Sequence, residues 1–169
     1  NLDVVNIYFI FYHVDDSVKL GSKISPENIL LCDLIKRIDF CTSVNIFIMS
    51  SISLYKWRSD ELFLTIHNPL NLTTPYRIHK YNIELFVRDI TDKYSNVSAY
   101  FFRLPCVIGV SARNNFLVNI RRDIIIGKSF YISNLFDLFN SIITFSDIYK
   151  FSRILISKCS GGSKIYNLG

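Results

Sequence analysis

The chain has 169 residues, 50% hydrophobic and 20% charged, with a formal net charge of +5. That length supports one domain with enough chain to bury a real core, and the basic balance favours a polyanionic partner over an acidic or neutral one. No segment approaches the ~18 to 20 apolar residues that cross a bilayer as a helix, so no membrane partner is expected.

Val4 to Tyr12, rich in Val, Ile, Tyr and Phe, reads as a strand buried on both faces or against a partner. Ser25-Pro26-Glu27 is a helix start, with a capping hydroxyl, a proline suited to the first helical position and an acid at the positive end of the dipole. The spacing of Leu30, Leu31, Leu34, Ile35 and Ile38 carries that helix from Pro26 to about Ile38. Val44 to Met49 alternates as a strand does. Glu61 to Ile66 is a candidate extra strand, and His67 to Tyr76, with Pro69 and Pro75, reads as a loop. Asn82 is expected to cap a second helix whose apolar face is Ile83, Phe86, Val87, Ile90 and Tyr94. A strand over Cys106 to Val110, a basic loop over Ala112 to Gly127, a strand over Lys128 to Ile132 and a helix over Leu135 to Thr144 follow.

The run from Ser111 to Thr144 resembles the central third of the large-subunit ribosomal protein L-five family. Ala112-Arg113, Ile120-Arg121 and Ile126-Gly127 keep that family's spacing. Leu135, Phe136, Asp137, Leu138, Phe139, Ile142, Ile143 and Thr144 match its helix without a gap. Leu104 to Ile108 looks like the strand leading into its loop, and Tyr166-Asn167-Leu168-Gly169 resembles its Tyr-Ser-Met-Gly step. The resemblance implies an α+β fold: an antiparallel sheet, helices packed on one face, and a long basic loop between two strands. It implies a single domain over 1–169 with an N-terminal extension over about 1–22, an insertion over about 50–80, and a family C-terminal portion that is missing.

The same resemblance implies a structural constituent of the large ribosomal subunit, seated in the central protuberance. Its partners would be 5S and large-subunit ribosomal RNA, P-site transfer RNA, and neighbouring ribosomal proteins including the small-subunit head. Arg113, Asn114, Asn115, Asn119, Arg121 and Arg122 would contact RNA from the loop, since guanidinium groups grip phosphates and asparagines reach base or ribose edges. Lys128, Lys158 and Lys164 would add phosphate contacts. Alanine occurs only at Ala99 and Ala112 while Ile, Asn and Phe abound, a bias that AT-rich codons produce. With Asp3 and no Lys or Arg ahead of the first apolar run, no leader peptide is visible. The mitochondrial matrix is the expected location, with the cytoplasm of an AT-rich organism as the alternative.

Other motifs carry less. Cys32, Cys41, Cys106 and Cys159 form no C-x-x-C pair, and His13, His67 and His79 lie far from them, so no metal site is expected. Ser160 to Lys164 lacks the spacing of a phosphate-cradling loop, and the resemblance implies that it is a flexible, glycine-rich, RNA-facing loop. No Ser-His-Asp or Cys-His arrangement is present and no cofactor is implied, so the chain is expected not to be an enzyme. The alternative to the ribosomal reading is a non-enzymatic intracellular protein-interaction module from an AT-rich genome, for example a viral one.

Overall fold

The computed structural model describes residues 4–9, 30, 33, 42–56, 64–109, 112, 115–131, 141–158 and 161–168. Its centre is a four-stranded sheet in which every pairing is parallel: β1 (Val4–Phe9), β2 (Ser43–Ser51), β3 (Val97–Leu104) and β6 (Gly162–Asn167), side by side in that order. The remaining elements are α1 (Pro75–Lys93), a two-stranded parallel pair of β4 (Cys106–Ile108) and β5 (Ile142–Thr144), α2 (Phe116–Ile125) and α3 (Phe145–Lys158).

The expected antiparallel sheet is therefore corrected, and the reason lies in the composition of the central strands. All eight residues of β3 are buried, as are Val44 to Ser50 of β2. Strands buried on both faces need helices on both faces, which is the setting of parallel sheets joined by crossovers. Val44, Ile46, Ile48, Val97, Ala99 and Phe101 pack under Ile83, Val87 and Ile90 of α1. On the opposite face Phe47, Met49, Tyr100, Phe102 and Leu104 pack against Ile143 of β5 and Ile148 and Leu155 of α3. Helices packed on one face alone would leave one of these sets in water.

In-register parallel pairing also aligns aromatic rings across that second face. Tyr8 pairs with Phe47 and Phe47 with Tyr100, and their ring centroids lie 4.8 and 4.9 Å apart in stacked geometry. Such pairs add to what burial alone contributes, roughly 0.5–1.5 kcal/mol each.

The helix expected to start at Asn82 begins a full two turns earlier. Thr74 caps it, its hydroxyl accepting from the Arg77 amide at 3.3 Å, and Pro75 opens it. The expected apolar face holds: Ile83, Val87 and Ile90 are buried, with Phe86 and Tyr94 partly so. Because α1 absorbs Pro75 and Tyr76, the loop expected over His67 to Tyr76 ends at Thr74.

The basic loop expected between two strands is a helix. Asn115 caps α2 by accepting from the Val118 amide at 3.0 Å. At the other end Gly127 takes φ +67°, its amide bonded to the Ile124 carbonyl at 3.1 Å and the Lys128 amide to the Asp123 carbonyl at 2.8 Å. That double closure by a left-handed glycine is a Schellman ending, so Ile126-Gly127 marks the end of a helix and not the approach to a strand. Lys128 to Tyr131 form no strand, and Ile142–Thr144, expected at a helix end, are β5. In the loop expected over Ser160 to Lys164, Gly162, Ser163 and Lys164 belong to β6.

Val4 to Tyr12 is a strand over its described part, Val4–Phe9. In the helix expected over Pro26 to Ile38, the described Leu30 and Asp33 are helical. The candidate strand Glu61 to Ile66 shows no strand in residues 64–66, and its other residues lie outside the described set, as do Ile10 to Tyr12, Val110, Ile132 and the start of the helix expected from Leu135.

Candidate active site

Parallel α/β sheets bind ligands beyond the carboxyl ends of their strands, and a cavity of about 470 Å³ opens there. Tyr8 from the end of β1, Met49, Ser50 and Ser51 from β2, and Leu104 to Val107 from β3 and β4 line it. Tyr76 and Lys80 enter from α1, and Phe145, Ile148 and Tyr149 from α3. The wall is mainly apolar, so its few polar groups stand out as the places where a ligand is oriented.

Tyr76 and Lys80 are four residues apart on α1, which puts them on one face one turn apart. The Lys80 ammonium lies 5.8 Å from the centroid of the Tyr76 ring. Lys80 is only 5% exposed, and its Nζ donates to the Met49 carbonyl at 2.8 Å. Burial pulls its pKa from the ordinary 10.5 down to about 8, against the opposing pull of Glu84 one turn further on. Burial raises the Tyr76 phenol above its ordinary 10.0, while a hydrogen bond with Ser51 acts the other way. Ser51 ends β2, and its hydroxyl accepts from the Ser53 amide at 3.2 Å, capping the short 3-10 turn Ile52–Leu54. A hydroxyl, a phenol and a buried ammonium thus meet at one end of an apolar cavity. That is a set able to move a proton to or from a ligand hydroxyl.

Of the described residues expected from sequence to bind RNA, Asn115 lines this cavity. The Asn115 amide donates to the Val107 carbonyl at 2.7 Å, so this side chain holds α2 against β4. Asn119 is half-buried on α2, Arg121 and Arg122 are exposed on it, and Arg122 pairs with Asp123 at 3.5 Å. Lys128 and Lys164 are exposed, Lys158 ends α3, and Arg113 and Asn114 lie outside the described residues. Sequence reasoning missed Ser51, Tyr76 and Lys80, which fall in the segment read as an insertion over about 50–80. The available signal was Thr74-Pro75, a helix start that places Tyr76 and Lys80 four apart in the first turns. Among the described residues no group of three or more His, Cys, Asp or Glu could hold a metal ion, and no helix is long and apolar enough to cross a membrane.

No protein-family model and no curated protein sequence matches the chain. Solved structures do match in fold. The UDP-N-acetylglucosamine 4-epimerase from Bacillus cereus superimposes with a TM-score of 0.71 at 20% identity, over 99% of this chain and 56% of its own. The UDP-glucuronic acid 4-epimerase from Bacillus cereus, in complex with UDP-glucuronic acid and NAD, gives 0.67 at 14% identity, over 84% of this chain and 44% of its own. The UDP-N-acetylglucosamine 4-epimerase from Methanobrevibacter ruminantium M1, in complex with UDP-N-acetylmuramic acid, gives 0.61 at 18% identity, over 74% and 41%. The chain thus spans about half the length of these structures. The fold is Rossmann-like: an open parallel sheet with helices covering both faces.

This fold overturns the resemblance to the L-five family. A structural role in the large ribosomal subunit, with 5S and large-subunit ribosomal RNA, P-site transfer RNA and neighbouring ribosomal proteins as partners, is not supported, and neither is the alternative of a protein-interaction module. The expectation of a non-enzyme loses its support on the same ground, since the three structures named above are themselves described as UDP-sugar epimerases. The matched spacing of Ile120-Arg121 and Ile126-Gly127 comes from an amphipathic helix closed by a glycine. Periodic Ile and Arg on such a helix imitate a basic loop in one dimension.

Proposed function

We propose that this chain carries the proton-transfer site of an NAD-dependent enzyme that oxidises and re-reduces a carbinol of a nucleotide-linked sugar, as an epimerase does. The observation that carries this reading is the meeting of Tyr76, Lys80 and Ser51 in the cavity at the carboxyl ends of a parallel sheet. The likeness in fold to UDP-sugar epimerases supports it.

In this reading Tyr76 would take the proton of a sugar hydroxyl at its phenol oxygen and later return one to the same position. A bound nicotinamide would supply the hydride acceptor and donor that invert the carbon. Ser51 orients the hydroxyl through its contact with Tyr76, and the Lys80 cation favours the phenolate that must form. The mainly apolar lining lowers the local dielectric, which strengthens these electrostatic contacts.

The donors present fit the ring and ribose end of such a cofactor, because Lys80 and Ser51 offer N–H and O–H groups in an otherwise apolar cavity. No Gly-x-Gly-x-x-Gly run occurs in the 169 residues, so no residue of this chain is assigned to the pyrophosphate.

The test is conversion of UDP-glucose, UDP-N-acetylglucosamine and UDP-glucuronic acid in the presence of NAD, followed by NMR of the sugar ring protons. The protein should interconvert C4 epimers of at least one, and Tyr76→Phe should lower turnover by about 100-fold or more, the upper part of the range for removing a general acid–base group. Protection of the wild type against thermal unfolding by NAD gives a readout independent of turnover. Absence of both conversion and NAD-linked stabilisation would refute the proposal.

A further inference from the structure

Bonded to Ser50 of the cavity wall is a charged pair to which the proton-transfer scheme assigns no part. Glu84 is completely buried and Arg103 is 2% exposed. Glu84 Oε1 accepts from Arg103 Nε at 3.0 Å, and Oε2 from Arg103 Nη2 at 2.6 Å. Oε1 also accepts the Ser50 hydroxyl at 2.6 Å, and Arg88 approaches Oε2 at 4.0 Å. The Arg103 guanidinium stacks 4.8 Å over the ring of Tyr55, whose hydroxyl donates to Asn167 of β6 at 2.8 Å. One carboxylate on α1 therefore joins the ends of β2 and β3, and through Tyr55 the network reaches β6.

A buried ion pair adds little net stability over apolar residues of the same shape, because desolvation offsets the attraction. What it does impose is geometry, since each bond is short and directional. Ser50 is the point of leverage. Its backbone neighbours are Met49, whose carbonyl holds the Lys80 ammonium, and Ser51, whose hydroxyl meets Tyr76. Side chains alternate along a strand, so Ser50 faces α1 together with Ile46 and Ile48 while Met49 turns to the other side of the sheet.

We propose that Ser50 and Glu84 are positioning residues: by accepting the Ser50 hydroxyl, Glu84 locks the end of β2 to α1 and so sets the distance between the Met49 carbonyl and Ser51 on one side and Lys80 and Tyr76 on the other. This rests on the reading of Tyr76, Lys80 and Ser51 as the reactive group. Ser50 touches neither Tyr76 nor Lys80 in any bond described above; it acts through the strand. The other ionisable groups lining the same cavity are Tyr8 of β1, Cys106 of β4 and Tyr149 of α3, and none of them bonds Ser50 or Glu84 among the described contacts.

The experiment is Ser50→Ala, which leaves both Arg103 bonds to Glu84 in place and removes only the tie to β2. Tyrosine labelled with 13C at Cζ and lysine labelled at Cε are followed by NMR through a pH titration without any ligand, with Tyr76→Phe and Lys80→Met identifying the two signals. Local displacement predicts shifted Tyr76 and Lys80 signals and an altered Lys80 titration midpoint, with the unfolding midpoint in urea close to wild type. Turnover, where the wild type shows it, should fall roughly 10- to 100-fold, the range for a misplacement on the order of 1 Å, with KM little changed. Ser50→Cys keeps the volume with only a weak S–H donor and reads the same shift should Ser50→Ala not fold. Unchanged Tyr76 and Lys80 signals would overturn the proposal whatever the turnover, and so would changes spread over all tyrosines with a lowered unfolding midpoint. Shifted signals in a protein whose wild type converts no UDP-sugar would uphold the positioning and refute the assigned reaction.

Discussion

Lys80→Met should make the protein more stable at neutral pH while removing its proposed activity. The ammonium is buried, and its pKa falls from 10.5 to about 8. A folded pKa below the unfolded one means that the unfolded chain binds the proton more tightly. The lysine therefore opposes folding below pH 8, and the penalty fades as pH rises from about 8 to 10.5. At roughly 1.4 kcal/mol for each pH unit, that penalty is about 3 kcal/mol at pH 7. Methionine keeps most of the volume and removes the charge, but leaves the Met49 carbonyl without its 2.8 Å donor, a loss of about 1 kcal/mol. Glu84 stays paired with Arg103. The net expectation is a gain of about 2 kcal/mol at pH 7 that vanishes near about pH 10 and becomes a loss of up to about 1 kcal/mol above it, where only the missing hydrogen bond counts. Urea unfolding of both proteins by circular dichroism from pH 6 to 10 gives the difference directly. A difference that stays flat across pH 7 to 10, or a variant less stable than wild type at pH 7, would show that Lys80 is not held as a strained buried cation.

Three further outcomes follow from named contacts. Glu84→Gln leaves the Arg103 guanidinium buried without its counter-charge and should destabilise the protein by about 3–5 kcal/mol in urea unfolding. Thr74→Ala removes the cap of α1 and should cost about 1 kcal/mol by the same measurement, with earlier hydrogen exchange at the Arg77 amide that Thr74 now satisfies. Because Lys80 loses its proton as pH rises through about 8, turnover should fall on the alkaline side from that pH, and a rate flat to pH 10 would show that the ammonium is not required.

The strands and helix faces visible in the sequence were those whose signal is local. β2 was legible because β-branched and aromatic residues run through Val44 to Met49, and the buried face of α1 because Ile83, Val87 and Ile90 recur at helical spacing. Capping chemistry at Thr74-Pro75 was also present, yet a competing cap at Asn82 masked it, and the error moved Tyr76 out of its helix. β3 was harder to see because Ser98 and Arg103 interrupt its apolar run; Arg103 is tolerated there only because Glu84 meets it from α1. Strand direction is not written in any single strand, since a segment buried on both faces has the same composition whichever way its neighbour runs. Parallel pairing was decided by tertiary structure, through α1 and α3 covering opposite faces of one sheet. The candidate site has the same origin. Ser51, Tyr76 and Lys80 are ordinary residues in sequence, and they become a reactive group because a crossover helix brings its first turns over the carboxyl end of β2, where burial changes the proton affinities of the phenol and the amine.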